Sequence, residues 1–266
     1  MIPFRHSNGG LERNHSTTQC VVDGGSSCSE DLVSVRSEPV RQTLYAEWCK
    51  TAEEPVFSEW LRAGAEPDWS AVVSHPFAEA IGRGDVPAEN MRRYLIQDFQ
   101  FVDAFTALLG AAVACADSFE ARVPFGRFLG QIATDTERSY FRRALTALGA
   151  DAGPAEPEPV TAEFRTLMDE TRTRQDHPAI LAVLCVAEWS YLEWASRAAG
   201  PLPEDFVHRE WVELHSGPDF EAWVAFLRGE LDRLGPTLDE AGQFRVLDVF
   251  RRTVQLERRF FDMAAG

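Results

Sequence analysis

The stretch 178-PAILAVLCVAEWSYLEWASRAA-199 decides the fold class. It opens on a proline and stops at Gly200-Pro201, the punctuation of a helix. Between them Leu181, Leu184, Cys185, Glu188, Tyr191, Leu192 and Ala195 recur at the three- and four-residue spacing of a helix face. Working outward, the pattern repeats. Helical spacing runs from Pro87 through 89–117, from Pro124 toward Gly149, and over 161–173, 203–215, 219–234 and 239–264. Gly153–Pro159 (GPAEPEP) is a proline-rich connection, and Gly217-Pro218 and Gly235-Pro236 are breaks. No alternating β-branched run of strand length and no long-period repeat stands out. The expectation is an all-α domain of seven to nine helices over residues 46–266. Residues 1–45 are rich in Gly, Ser and Asn without helical period, and read as a disordered or non-native extension.

Composition narrows the partners. The chain has 266 residues, 45% apolar and 26% charged, enough for a substantial core. Acidic residues outnumber basic ones 42 to 26, a formal charge of -16, which repels phosphate backbones and argues against nucleic acid. The strongly apolar run Ala179–Ala187 is shorter than the roughly 20 residues that span a bilayer, and the N-terminus lacks a signal-peptide pattern. Five scattered cysteines with no CxxC pair fit neither a disulfide framework nor a zinc knuckle. A cytoplasmic setting without membrane contact follows.

Three acids interrupt apolar stripes. Asp98 lies among Met91, Tyr94, Leu95, Phe101, Val102 and Phe105; Glu188 lies on the face described above; Glu257 lies among Val246, Phe250, Thr253, Phe260, Phe261 and Ala264. Each has an aromatic three residues on: Phe101, Tyr191 and Phe260. Residues so spaced share a face. A carboxyl facing a core is costly, and burial raises its pKa, which suits it to proton transfer near neutrality. One reading is an ion pair between each acid and a buried arginine. The other is a shared pocket whose rings stack on a flat heterocycle while the acids bind its nitrogens. Glu137, before Tyr140 and Phe141, is a weaker version, read as structural.

Other constellations carry less. Helical di-iron sites use two Glu-x-x-His pairs, and the one such pair, Glu12 with His15, lies in the N-terminal extension, so no metal is expected. His75 and His177 precede prolines as helix-start residues, and His215 closes a helix as a cap or a site residue. No GxSxG elbow or glycine-rich phosphate loop occurs, and Cys185 reads as a buried, inert thiol.

The run His75-Pro76-Phe77 with Tyr94-Leu95-Ile96-Gln97-Asp98, then Ala187-Glu188-Trp189-Ser190-Tyr191 and Glu257-Arg258-Arg259-Phe260-Phe261, resembles the signatures of the TenA family (thiaminase II, or aminopyrimidine aminohydrolase). The resemblance implies a heme-oxygenase-like helical bundle without heme, assembled as a homotetramer. It implies no cofactor, and thiamin salvage by hydrolysis of the C–N bond of 4-amino-5-aminomethyl-2-methylpyrimidine. By that likeness Asp98 would bind the pyrimidine's ring nitrogen and amino group, Glu257 would exchange a proton with the leaving amine, and Tyr191 and Phe260 would line the pocket. One branch of the family carries a nucleophilic cysteine where this chain has Ala187; Glu188 resembles the mark of the other branch, associated with aminopyrimidines and their N-formyl derivatives. Phe101, Phe164 and His215 stand at positions that resemble tyrosines of the cysteine branch. In the resulting reading, Glu188 or Glu257 activates water and the other manages the leaving group. A non-catalytic pyrimidine-binding or regulatory protein is the rival.

Overall fold

Capping chemistry sets where the helices begin. The computed structural model describes residues 43–133, 136–198 and 201–266, without the side chains of 133 and 136–138. Among these lie α1 (Tyr45–Trp48), α2 (Phe57–Gly64), α3 (Asp68–Val73), α4 (Pro76–Arg83), α5 (Ala88–Phe99), α6 (Phe101–Cys115), α7 (Phe119–Ala133), α8 (Thr136–Ala147), α9 (Pro159–Arg174), α10 (His177–Ser196), α11 (Phe206–Leu214), α12 (Pro218–Leu234) and α13 (Glu240–Ala265), with a 3₁₀ turn at Gly235–Thr237. The protein is all-α over the described residues. His75 Nδ1 accepts the Phe77 N–H (3.1 Å), Asp176 the Ala179 N–H (3.4 Å) and Asp239 the Gly242 N–H (2.7 Å). Each satisfies an amide that the first helical turn leaves open.

Among the described residues the helices outnumber the seven to nine expected, and two boundaries differ from the sequence reading. The segment 89–117 divides at Gln100 into α5 and α6 with neither Gly nor Pro at the joint. The helix expected to open at Pro124 starts at Phe119 instead, leaving Pro124 inside it. Ser118 Oγ accepts the Ala121 N–H at 3.1 Å, so a serine cap begins α7 before the proline, which simply forgoes its own amide bond. Packing also begins before residue 46: Trp60 Nε1 donates to the Thr43 carbonyl at 3.1 Å, and the Tyr45 and Phe57 rings meet edge to face at 5.2 Å. The expectation for residues 1–42 lies outside the described residues.

Helix α10 is the axis of the core, packed against α12 and α13 and flanked by α3, α6 and α9. Its apolar character extends beyond the Ala179–Ala187 run. By length and composition alone, His177–Ser196 and the stretch Ala88–Cys115 are apolar enough to cross a membrane, which corrects the length argument made from sequence. In this fold 78% of the apolar window in α10 is buried by neighbouring helices. Two glycines permit close seating. Gly84 ends α4 in the left-handed region (φ 74°), and a Cβ on Gly235 would lie 2.1 Å from the Phe57 ring, so α2 seats against the end of α12 through the missing side chain.

Candidate active site

The residue after Glu188 fixes how α10 is turned. Trp189 is held with its ring 4.7 Å from Trp69 and the Arg228 guanidinium 4.0 Å from its centroid, a cation–π contact worth about 0.5–2 kcal/mol. Arg228 is itself fixed by Glu59 at 2.6 Å. With Trp189 so anchored, Ala187, Glu188 and Tyr191 face a single cavity.

Helix α13 brings Glu257 to the same place. Its outer face is tied down by Arg258 to Asp68 (2.8 Å) and Arg259 to Glu163 (2.7 Å). At its end Asn90 Nδ2 donates to the Ala264 and Ala265 carbonyls at 2.9 and 3.0 Å. Glu257 thereby lies on the inner face, 3% exposed.

Asp98, near the end of α5, is set by two glutamines. Gln97 donates to the Glu156 carbonyl (3.1 Å) and accepts the Glu158 N–H (2.8 Å). Gln100 donates to the Gly153 carbonyl (3.2 Å) and accepts the Ala155 N–H (3.3 Å). The proline-rich connection is therefore sewn to the α5–α6 joint on either side of Asp98.

These helices bring Asp98, Glu188 and Glu257 to one cavity of about 850 Å³, walled in part by Phe101, Phe164, Tyr191, Trp211 and His215. Burial pushes the Glu257 carboxyl well above the usual carboxylate range, and the Asp98 and Glu188 carboxylates push the same way. Like charges in a dry site favour the protonated form, which equips Glu257 to give and retake a proton. Among the described residues no arginine pairs with Glu257, which removes the buried ion-pair reading at this position.

The ring-bearing part of the lining is neutral. His215 Nδ1 lies 2.8 Å from the Trp211 carbonyl. A carbonyl can only accept, so Nδ1 carries the proton and Nε2 keeps its lone pair. Burial lowers the His215 pKa to about 4, leaving the ring uncharged at neutral pH. Tyr94 and Tyr191 share a hydroxyl–hydroxyl bond of 2.8 Å, and Trp211 Nε1 donates to Tyr94 Oη at 3.3 Å. Burial and nearby carboxylates keep both phenols protonated.

The sequence and the fold that carry this site have counterparts in known proteins. Residues 62–266 match the TENA/THI-4/PQQC family model. The chain belongs to the TENA/THI-4/PQQC family. The aminopyrimidine aminohydrolase of Halalkalibacterium halodurans is 24% identical over 201 residues, covering 74% of this chain and 89% of that protein. The aminopyrimidine aminohydrolase of Helicobacter pylori is 24% identical over 203 residues, covering 74% and 92%. The crystal structure of a TenA family transcription regulator from Silicibacter sp. TM1040 has a similar fold, with a TM-score of 0.70 at 21% identity over 79% of this chain and 96% of that one.

Within this TENA/THI-4/PQQC chain, the expected site residues are not all in one layer. Asp98, Phe101, Phe164, Glu188, Tyr191, His215 and Glu257 line the cavity. Phe260 does not. It is fully buried behind the wall, 4.9 Å from the Phe101 ring and 5.4 Å from Tyr94. Its spacing from Glu257 gives the right face of α13, but α5 and α6 cover that face one turn further on. Cys185 is fully buried, and its thiol pKa is pushed far up by burial; Ala187 occupies the cavity wall instead. The Glu137 side chain lies outside the described residues. Trp211 and the Tyr94 hydroxyl are polar parts of this wall that sequence reasoning missed. The available signal was the four-residue spacing of Trp211 and His215 on one helix face. Among the described residues, no group of three or more His, Cys, Asp and Glu side chains is arranged to hold a metal ion.

Proposed function

We propose that the protein hydrolyses the C–N bond of an aminopyrimidine, 4-amino-5-aminomethyl-2-methylpyrimidine or its N-formyl derivative, in salvage of the thiamin pyrimidine. The observation that carries this reading is the opening of three carboxyls from three helices, one of them proton-retaining, onto one ring-walled cavity. The names of the two bacterial relatives support the same substrate class. Asp98 would accept hydrogen bonds from the exocyclic amine and the protonated ring nitrogen. Phe101, Phe164 and Tyr191 would flank the ring. Of Glu188 and Glu257, one would take a proton from water as its oxygen bonds to the methylene carbon. The other would deliver a proton to the departing nitrogen, so that water and amine become alcohol and ammonia. No cofactor enters these steps. Ala187 on the cavity wall supports the reading of a branch without a nucleophilic thiol, for which intact thiamin would be the poorer substrate.

The charge of -16 suits an amine-bearing ligand better than a nucleic acid. We further infer a heme-oxygenase-like bundle working in the cytoplasm as a homotetramer. Helix α6 supports self-assembly: it buries Phe101, Ala104, Leu108, Leu109 and Ala112 and turns Val102 and Phe105 to the cavity, while Ala107, Ala111, Val113 and Ala114 lie nearer the surface. The decisive experiment measures ammonia release from the aminopyrimidine and formamide release from its formyl derivative, the products of cleavage at the methylene carbon, with pyrimidine release from thiamin as the third arm; formate in place of formamide would mark hydrolysis of the amide bond instead. Faster cleavage of thiamin rejects the branch assignment, and no turnover of any substrate leaves the non-catalytic, regulatory reading, which the relation to a transcription regulator favours.

A further inference from the structure

We propose that Trp211 is a positioning residue whose two polar groups set the proton pattern of the ring-bearing part of the cavity lining. Its indole orients a chain of hydroxyls, and its carbonyl selects the tautomer of His215.

The hydroxyl chain has one consistent direction. Trp211 Nε1–H can only donate, so Tyr94 Oη accepts from it across 3.3 Å. Tyr94 is fully buried, and its own proton needs an acceptor. Among the described residues the oxygen in reach is Tyr191 Oη, at 2.8 Å. Tyr94 therefore donates to Tyr191. The reverse arrangement would leave the Tyr94 proton buried without a partner, at a cost of about 1–3 kcal/mol. Tyr191 lines the cavity, and with its oxygen already accepting from Tyr94, its proton is turned to the cavity side. The polarised order is Trp211 N–H to Tyr94 O–H to Tyr191 O–H to whatever occupies the cavity.

The same residue acts through its backbone. The Trp211 carbonyl takes the His215 Nδ1 proton at 2.8 Å, so the imidazole offers Nε2 as an acceptor. The Tyr191 and His215 rings are 4.8 Å apart. The wall thus presents one donor and one acceptor side by side, matched to a substrate group that carries an acceptor and an N–H together. Trp211 is itself clamped, stacked on Tyr140 at 5.2 Å and 20°, and Tyr140 Oη donates to the Val207 carbonyl at 2.6 Å.

The kinetic consequences rest on the hydrolase reading, whereas the spectroscopic ones do not. Nitrogen-15 histidine NMR of the full chain at neutral pH should find His215 as the Nδ1–H tautomer; an imidazolium or the Nε2–H tautomer overturns the assignment. Tyr94→Phe should speed hydrogen exchange of the Trp211 indole N–H and lower kcat about tenfold, the scale of one lost hydrogen bond, with KM within about twofold. Trp211→Phe should lower kcat similarly while His215 keeps its tautomer, because the carbonyl remains. The Tyr94→Phe/Tyr191→Phe pair should be no slower than Tyr191→Phe alone, since both remove the same donor. Thr171→Val, which removes a buried hydroxyl that bonds only the Leu167 carbonyl at 2.6 Å, should lower the melting temperature and leave kcat unchanged. A Tyr94→Phe variant that behaves like Thr171→Val, or additive losses in the double variant, would reduce the hydroxyls to packing. If the wild type releases no ammonia, the hydrolase reading falls, and the NMR and exchange results still decide the orientation of the wall.

Discussion

Two groups in the cavity lining share one environment and respond to it in opposite ways. Glu257, among the acids, is driven by burial to keep a proton; His215, among the rings, is driven by burial to refuse one. Neither state needs a dedicated charge partner. Removing water disfavours whichever form is charged, so a carboxyl becomes an acid and an imidazole becomes an acceptor in the same space. The difference between the walls lies in their support. On the Trp211 side the indole N–H, the Tyr94 hydroxyl and the His215 Nδ1–H are matched by hydrogen bonds inside the protein. At the acid wall Glu257 opens to the cavity among like charges, an unfavourable arrangement that a bound amine would relieve.

The hardest way to break this comparison is at Glu257. Glu257→Gln should depress turnover by about 10²- to 10⁴-fold with little change in KM, the range expected for a lost general acid or base. Steady-state ammonia release checks it, and near-normal turnover removes Glu257 from proton transfer. Asp98→Ala should cost both affinity and rate, about 10-fold or more in Kd by calorimetry, because a charged hydrogen-bond acceptor is lost.

The pH dependence of stability sharpens the contrast further. A carboxyl with a raised native pKa stabilises the fold below its unfolded pKa and loses that contribution as pH rises through the native value. Denaturation of Glu257→Gln should therefore show a smaller loss of stability than wild type between pH 5 and 8. An imidazole lowered to about 4 stabilises above its unfolded pKa and loses that contribution as pH falls toward 4. His215→Gln should therefore be less sensitive than wild type between pH 6.5 and 4. Identical pH profiles for all three proteins would dissolve the distinction between the walls. The smallest effect belongs to the outer face of α13. Arg259→Ala breaks a half-exposed pair with Glu163 and should change unfolding free energy by less than about 1 kcal/mol.

The helical class was legible because proline and glycine punctuation agreed with a 3.6-residue apolar period over most of residues 87–264. The acids were legible one at a time as interruptions of that period. Misreadings arose where a competing local signal won, as at Ser118, whose cap outranks Pro124, or where no local signal exists, as at the Gln100 joint. Phe260 shows a different limit: periodicity assigns the face of α13, and the neighbouring helices decide which part of that face meets the cavity. The Trp211–Tyr94–Tyr191 chain joins α11, α5 and α10, and no spacing within a single helix encodes it.

The stitching of Gln97 and Gln100 to Gly153–Pro159 has a practical consequence. A surface segment full of prolines is where an engineer would ordinarily insert a tag or trim a residue. Here the backbone amides and carbonyls of that segment are the tether that holds the end of α5 in place. Editing the connection would shift the cavity-facing Asp98 without touching any residue of the cavity wall, so its length is under the same constraint as the pocket itself.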